Sequence, residues 1–321
     1  MSATNSSNLI IPEILRTEVN VDFAKLFDFM FGGMATRDPN VGPGDFVNVR
    51  GFNELSGDDE VMSDGGTYGT NNLTAYKDIA PILHRIKKFG AEDLGNIVSG
   101  QDATGAIKRM ISRYFAGQVS ARFINVLTGL FATSGPLNTT NRSAVYVDTA
   151  TAGDRVKLTP AVAAAAAGLL GDNMMDLGVW MMHSATYATL LAAGYLETNN
   201  NLSAFGIENG KMMTFVGKPI VVADTVAATV GTHCPSYRTY YAAQGALYLG
   251  IQKDLNPEQS RDSNKIDIIS TDLHFCAHVR GCKWNVAGTN PTNAALATAT
   301  NWALAYPSAK QVRVVAIDHN I

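Results

Sequence analysis

Four side chains near residue 280 are of the types that hold a soft metal ion. His274, Cys276 and His278 alternate along one run, so on a strand they share a face, and Cys282 follows at an even offset. Imidazole and thiolate are the ligands zinc prefers. The spacing matches no zinc pattern, however, and Gly281 is placed to break the strand before Cys282. Polar residues on a half-exposed face are the better expectation, with no metal and no cofactor. His183 and Ser184 set a base beside a hydroxyl, but adjacent residues on a strand point to opposite faces, and no Gly-x-Ser-x-Gly elbow surrounds them. Gly65, Gly66 and Gly69 lack the Lys-Ser/Thr of a phosphate loop. No helix carries paired carboxylates at a spacing suited to acid–base work. The ionisable residues are scattered rather than convergent, which leaves an enzyme without support.

Charge clusters by sign instead. Residues 54–64 hold five acids and no base: Glu54, Asp58, Asp59, Glu60 and Asp64. Residues 103–132 carry only positive charges, Lys108, Arg109, Arg113 and Arg122. Overall the chain is charge-poor, with 17% charged residues against roughly 25% in ordinary soluble domains. The shortage is concentrated in 158–250, whose charges are Asp172, Asp176, Glu197, Glu208, Lys211, Lys218, Asp224 and Arg238. Two readings fit that stretch: a surface covered by partner subunits, or a compact Ala-rich domain. A net charge of −3 argues against a dedicated nucleic-acid binder. Three cysteines without a regular framework suit a reduced setting. The first residues, MSATNSSNLI, lack the basic and apolar regions of a signal peptide, and no run of about 18 apolar residues spans a membrane.

The elements that must position these charges follow from periodicity. In 103–132 apolar residues recur at Ile107, Met110, Ile111, Tyr114, Phe115, Val119, Phe123, Ile124, Leu127 and Leu130, a helical stripe. At 1.5 Å per residue that helix is roughly 45 Å long. An earlier helix over 12–31, stopped by Gly32 and Gly33, presents its own apolar stripe, either to a neighbour or to its own domain. Residues 45–52 alternate as a strand, and 73–88 read as a returning strand or a strand and short helix. Between them the acidic, glycine-rich tip makes a long hairpin with little to bury against at home. A surface hairpin with a solvated tip is the plainer alternative.

After a loop over 134–154 with a short strand near 144–148, helices at 158–170 and 184–196 alternate with strands at 178–183, 211–216, 219–222 and 238–250. Ser184 is expected to cap the second of these helices. Residues 263–279 form a long strand. Ile269, Leu273, Phe275, Ala277 and Val279 lie on its buried face, with Ser270, Asp272, His274, Cys276 and His278 opposite. A capped helix over 291–306 and a closing strand over 312–317 complete the chain.

This order of parts resembles the major capsid proteins of tailed bacteriophages, the Hong Kong 97-like coat fold. The local motifs are Gly44-Asp45-Phe46-Val47 opening the hairpin, Trp180-Met181-Met182-His183 running into Ser184-Ala185-Thr186-Tyr187, and Phe215-Val216-Gly217-Lys218-Pro219-Ile220. The strand ending in Gly281-Cys282-Lys283-Trp284 looks like the family's return through its peripheral domain, and Pro291-Thr292-Asn293 with Leu296, Asn301-Trp302 and the strand 312–317 resembles its closing segment. The resemblance implies an α+β fold with an N-terminal arm (1–42) and an extended hairpin (43–90). A peripheral domain (91–157 and 263–288) would be built on the spine helix 103–132, beside an axial domain (158–262 and 289–321).

It further implies a non-enzymatic subunit of an icosahedral shell of hexamers and pentamers around double-stranded DNA, bound without sequence preference. The shell would be assembled in the bacterial cytoplasm and found in the virion, with a portal and no membrane. The short N-terminus implies a separate scaffolding protein. An encapsulin-like compartment and an α/β enzyme with an insertion arm are the alternatives. On this reading Glu54, Asp58, Asp59, Glu60 and Asp64 meet Arg109 or Arg113 of an adjacent copy. Lys108 and Arg122 are candidates to face DNA, or else all four basic residues pair with protein carboxylates.

Overall fold

The computed structural model describes residues 12–53, 55, 57–92, 103–199, 212–226, 228–262 and 266–321. Its centre is the helix pair α1, Pro12–Phe31, and α2, Ala103–Leu130. Phe23, Phe27 and Phe31 recur every fourth residue and are all buried. Phe27 and Phe31 meet Phe123 of α2 with ring centroids 6.3 and 5.1 Å apart. Ser112 Oγ donates to the Val19 carbonyl at 3.0 Å. The apolar stripe of α1 is therefore spent on the chain's own second helix, and 12–31 is part of the body rather than of a free arm.

Most of the α2 stripe is buried as its spacing predicts: Ile111, Phe115, Val119, Phe123, Ile124, Leu127 and Leu130. Met110 is the exception, 66% exposed. Gly129 has a packing reason. A Cβ there would run into the Leu296 carbonyl and the Trp302 indole, which cross the helix at that point.

Under α2 lies a four-stranded sheet in the order β1-β12-β13-β4. The strands are β1, Ala35–Asp38; β4, Leu83–Glu92; β12, Leu247–Arg261; and β13, Ile266–Val279. On β13 the buried face forms as expected, with Thr271 joining Ile269, Leu273, Phe275, Ala277 and Val279. The other face differs from expectation. Ser270, Asp272 and His274 are half-buried there, while Cys276 and His278 are wholly covered. The cover is a second hairpin, β2, Phe46–Phe52, paired antiparallel with β3, Ala75–Pro81. Ala80 and Ile82 pack on Cys276 beneath it. The return of the hairpin is thus two strands, β3 running into β4, with no helix.

The second sheet runs β5-β16-β11-β6-β9-β8-β7, with β10 added on β11. These are β5, Arg142–Ala144; β6, Leu177–Met182; β7, Leu196–Asn199; β8, Met212–Phe215; β9, Lys218–Val222; β10, Ala228–Val230; β11, Pro235–Ala243; and β16, Val314–His319. Strand β6 is apolar throughout because both its faces are covered. Val179 and Met181 join the core around α2, whereas Trp180 and Met182 join the alanines of α3, Pro160–Ala167. Trp180 lies flat on Tyr241 at 3.8 Å and donates to the Phe215 carbonyl. The β8–β9 turn puts Val216 at φ 52° and Gly217 at φ 70°, two left-handed residues as a tight hairpin turn demands.

Several boundaries depart from the sequence expectation. Helix α4, Ser184–Ala192, is capped by His183, whose Nδ1 accepts from the Ala185 N–H at 3.0 Å, and not by Ser184. The helix expected over 291–306 is only α5, Asn293–Leu296. It gives way to β15, Trp302–Leu304, paired with β14, Cys282–Trp284. Strand β12, expected with the axial residues 158–262, is instead hydrogen-bonded along β13 from Leu247↔Val279 to Arg261↔Asp267. Within 91–157, β5 pairs with β16 in the second sheet. Within 289–321, α5 and β15 lie against α2 and β14.

Candidate assembly surface

Beyond the paired part of the hairpin the chain runs through a tip, 53–74, that is exposed throughout except for Asn53 among its described residues. It is nonetheless organised. Asn53 bonds Thr74 through both backbone and side chain, the latter at 2.8 Å. The Tyr68 hydroxyl accepts from the Ser63 N–H and donates to the Ser63 carbonyl. Glu60 accepts the Gly69 N–H at both carboxylate oxygens, 3.0 and 3.1 Å. Glu60 is thus an internal brace of the tip, whereas Asp58, Asp59 and Asp64 stand exposed. Glu54 lies outside the described residues.

Acidity is only half of this surface. Leu55 is 84% exposed, Val61 92% and Met62 89%, with Phe52 and Leu73 exposed beside them. Large apolar side chains held in water make the tip a candidate interaction surface. The charge pattern does not mark them, although three apolar residues inside an otherwise polar loop are a visible signal in the sequence.

The basic residues of α2 divide between two flanks. Arg109 and Arg113, one turn apart, are exposed on either side of Ser112, which ties the helix to α1. Lys108 is half-buried. Arg122 lies nine residues beyond Arg113, about half a turn around the axis. It donates to Gln118 Oε1 at 2.8 Å, and its charge acts on Arg85 of β4. Within one subunit no described ion pair joins the acidic tip to these bases.

The side chains that could suit a metal are drawn apart. His274 lies 3.4 Å from Asp272 and meets His84 edge-on, ring centroids 4.5 Å apart. His278 Nε2 lies 2.6 Å from Asp78 Oδ1. Cys276 and Cys282 are wholly buried, and burial, then the charge of Asp78, raises both thiols well above their ordinary range. Among the described residues no three His, Cys, Asp or Glu side chains converge as metal ligands would. His183 is occupied as a helix cap, and Ser184 N–H donates to Asp224.

The chain is 27% identical to the major capsid protein of Bacillus phage SPP1, over 100% of this chain and 99% of that one. Its fold is similar to the capsid of Ralstonia phage GP4, with a TM-score of 0.64 at 14% identity, covering 89% of this chain and 87% of that chain. It is also similar to the capsid of cyanophage Pam1, with a TM-score of 0.56 at 12% identity, covering 86% and 85%. The architecture is thus the α+β fold of tailed-phage capsids. A family model described as major capsid protein 13-like matches residues 95–315, and over that span, more than half its length, the chain belongs to the Gp13-like family of major capsid proteins.

Proposed function

We propose that copies of this subunit close into an icosahedral shell of hexamers and pentamers enclosing double-stranded DNA, each copy laying its hairpin tip on the next. The observation that carries this reading is the tip itself, with Leu55, Val61 and Met62 in water beside Asp58, Asp59 and Asp64. Burying three such side chains contributes several kcal/mol at about 25 cal/mol per Å². The acids supply steering and register rather than affinity. Arg109 and Arg113 of the adjacent copy, exposed and without a described partner, suit that charge, and Lys108 and Arg122 remain candidates for DNA.

The two sheets support a division of labour. The four-stranded sheet with α1 and α2 would be the peripheral body, and the second sheet with α3 and α4 the axial one. A separate scaffolding protein, a portal and assembly in the host cytoplasm rest on the family resemblance alone.

Electron microscopy of the purified chain tests the reading. Closed shells with nuclease-protected DNA after packaging are expected. A monodisperse small particle even with scaffolding protein present would overturn it, and shells filled with protein cargo would replace DNA by an enzyme compartment. Reversing Asp58 and Asp59 to lysine should cut shell yield about tenfold at low salt while circular dichroism stays that of the wild type.

A further inference from the structure

Arg85 sits on β4 opposite Leu273, so it projects from the face of the sheet that α2 covers. Its terminal nitrogens donate to the Asn290 side-chain oxygen and to the Pro291 carbonyl. Arg122 extends from α2, which packs against β4, with one terminal nitrogen on Gln118 and its charge felt at Arg85. Among the described residues every acceptor on these two guanidiniums is neutral: an amide oxygen, a carbonyl and another amide oxygen. Both Nε–H groups are shielded from solvent, and neither has a partner among the described residues. Burial, and for Arg85 then the charge of Arg122, disfavour the charged forms. Guanidinium nevertheless keeps its proton in proteins. Two half-buried positive charges thus carry two idle donors, with no carboxylate among the described residues ion-paired to either.

We propose that Arg85 and Arg122 form a phosphate site in which the two half-buried guanidiniums turn their free Nε–H groups to one oxyanion. A phosphate group suits the place better than a single carboxylate. It carries enough oxygens to accept from two planar forks at once, and its charge answers both cations. The exposed Lys87, on the same face of β4 two residues on, adds to the local potential. The phosphate can come from a nucleic-acid backbone or from solution, and only the first source rests on the DNA-enclosing shell proposed above. The site itself belongs to the single subunit.

The test uses the full-length, unassembled chain in phosphate-free buffer and follows the ¹⁵Nε–H resonances of the two arginines. Inorganic phosphate, decathymidylate and acetate are titrated separately. Saturable shifts of both resonances by phosphate are expected, with binding weakened about tenfold in Arg122→Gln and in Arg85→Lys. Tighter binding of decathymidylate at matched phosphate, falling with salt, assigns the site to nucleic acid. Response to inorganic phosphate alone assigns it to the free ion. Acetate acting at lower concentration than phosphate would overturn the proposal in favour of a neighbour's carboxylate. Unmoved resonances in the wild type would overturn it without reference to any variant. None of these results depends on shell formation, so their failure and that of the shell reading are separable.

Discussion

Asp318 carries more of the second sheet than its place near the end of the chain suggests. It is 6% exposed, accepts from Arg238 at both oxygens at 2.6 and 2.9 Å, and accepts from Arg142 Nε at 2.7 Å. Burial alone would raise this carboxyl. The hydrogen bonds and charge of Arg238, then those of Arg142, outweigh it and hold Asp318 below the usual carboxylate range. Because the folded value is the lower one, the contribution to stability is complete above the unfolded value of about 3.9 and is lost as pH falls through the folded value. Asp318→Asn would leave two guanidiniums facing a neutral amide, at about 3–5 kcal/mol in chemical denaturation at neutral pH. A loss below about 1 kcal/mol would show that the pair of arginines finds water instead. The variant should also flatten the acid end of the stability profile. Nothing local in the sequence announces this triad. Arg142 and Asp318 are 176 residues apart, and the expected closing strand ended one residue short of Asp318.

The hairpin depends on one buried contact at its root. Asp78 of β3 is bonded to His278 of β13 at 2.6 Å and accepts the Gly281 N–H at 3.0 Å. Around it lies a cavity of about 140 Å³ lined by Val47, Tyr76, Ala80, Tyr248 and Tyr306, so apolar packing is incomplete where the hairpin meets the sheet. Asp78→Asn weakens a buried hydrogen bond, which costs about 1–3 kcal/mol. The loss should be local. Amide exchange in β2 and β3 is expected to quicken while the β12–β13 ladder keeps its protection. Uniform exchange rates across both would mean that the hairpin is held by something else. The alternation of β13 was legible, and it placed His278 and Cys276 on one face. That this face is roofed by the hairpin was not, because its partner Asp78 lies 200 residues earlier and carries no pattern of its own. Helix α2 was legible almost to its last turn because its signal is entirely local periodicity.

At the scale of the whole molecule, charge is segregated. Acids crowd a projecting tip, bases flank a helix of the body, and the second sheet has few of either. Such a subunit has a head that suits another copy's body, an arrangement that propagates from copy to copy and closes only where the rotation allows. The order of strands in the two sheets was beyond sequence reading, since β5-β16-β11-β6 joins four distant segments. The projecting tip was legible because a polar, glycine-rich stretch between two alternating strands has nowhere else to go. The pairing of tip with helix yields a crossed test. Asp58→Lys with Asp59→Lys, and separately Arg109→Glu with Arg113→Glu, should each cut shell yield by about tenfold at low salt, where the Debye length is about 30 Å at 0.01 M against about 10 Å at 0.1 M. One chain carrying all four reversals restores opposite charge at every contact and should recover most of that yield. Val61→Ser with Met62→Ser acts on the apolar part and should lower yield at low and high salt alike. Quantified by sedimentation, a quadruple variant no better than either double would break the assignment of Arg109 and Arg113 as the receiving pair. A salt-sensitive effect of the serine variant would show that charge, and not burial, holds the tip.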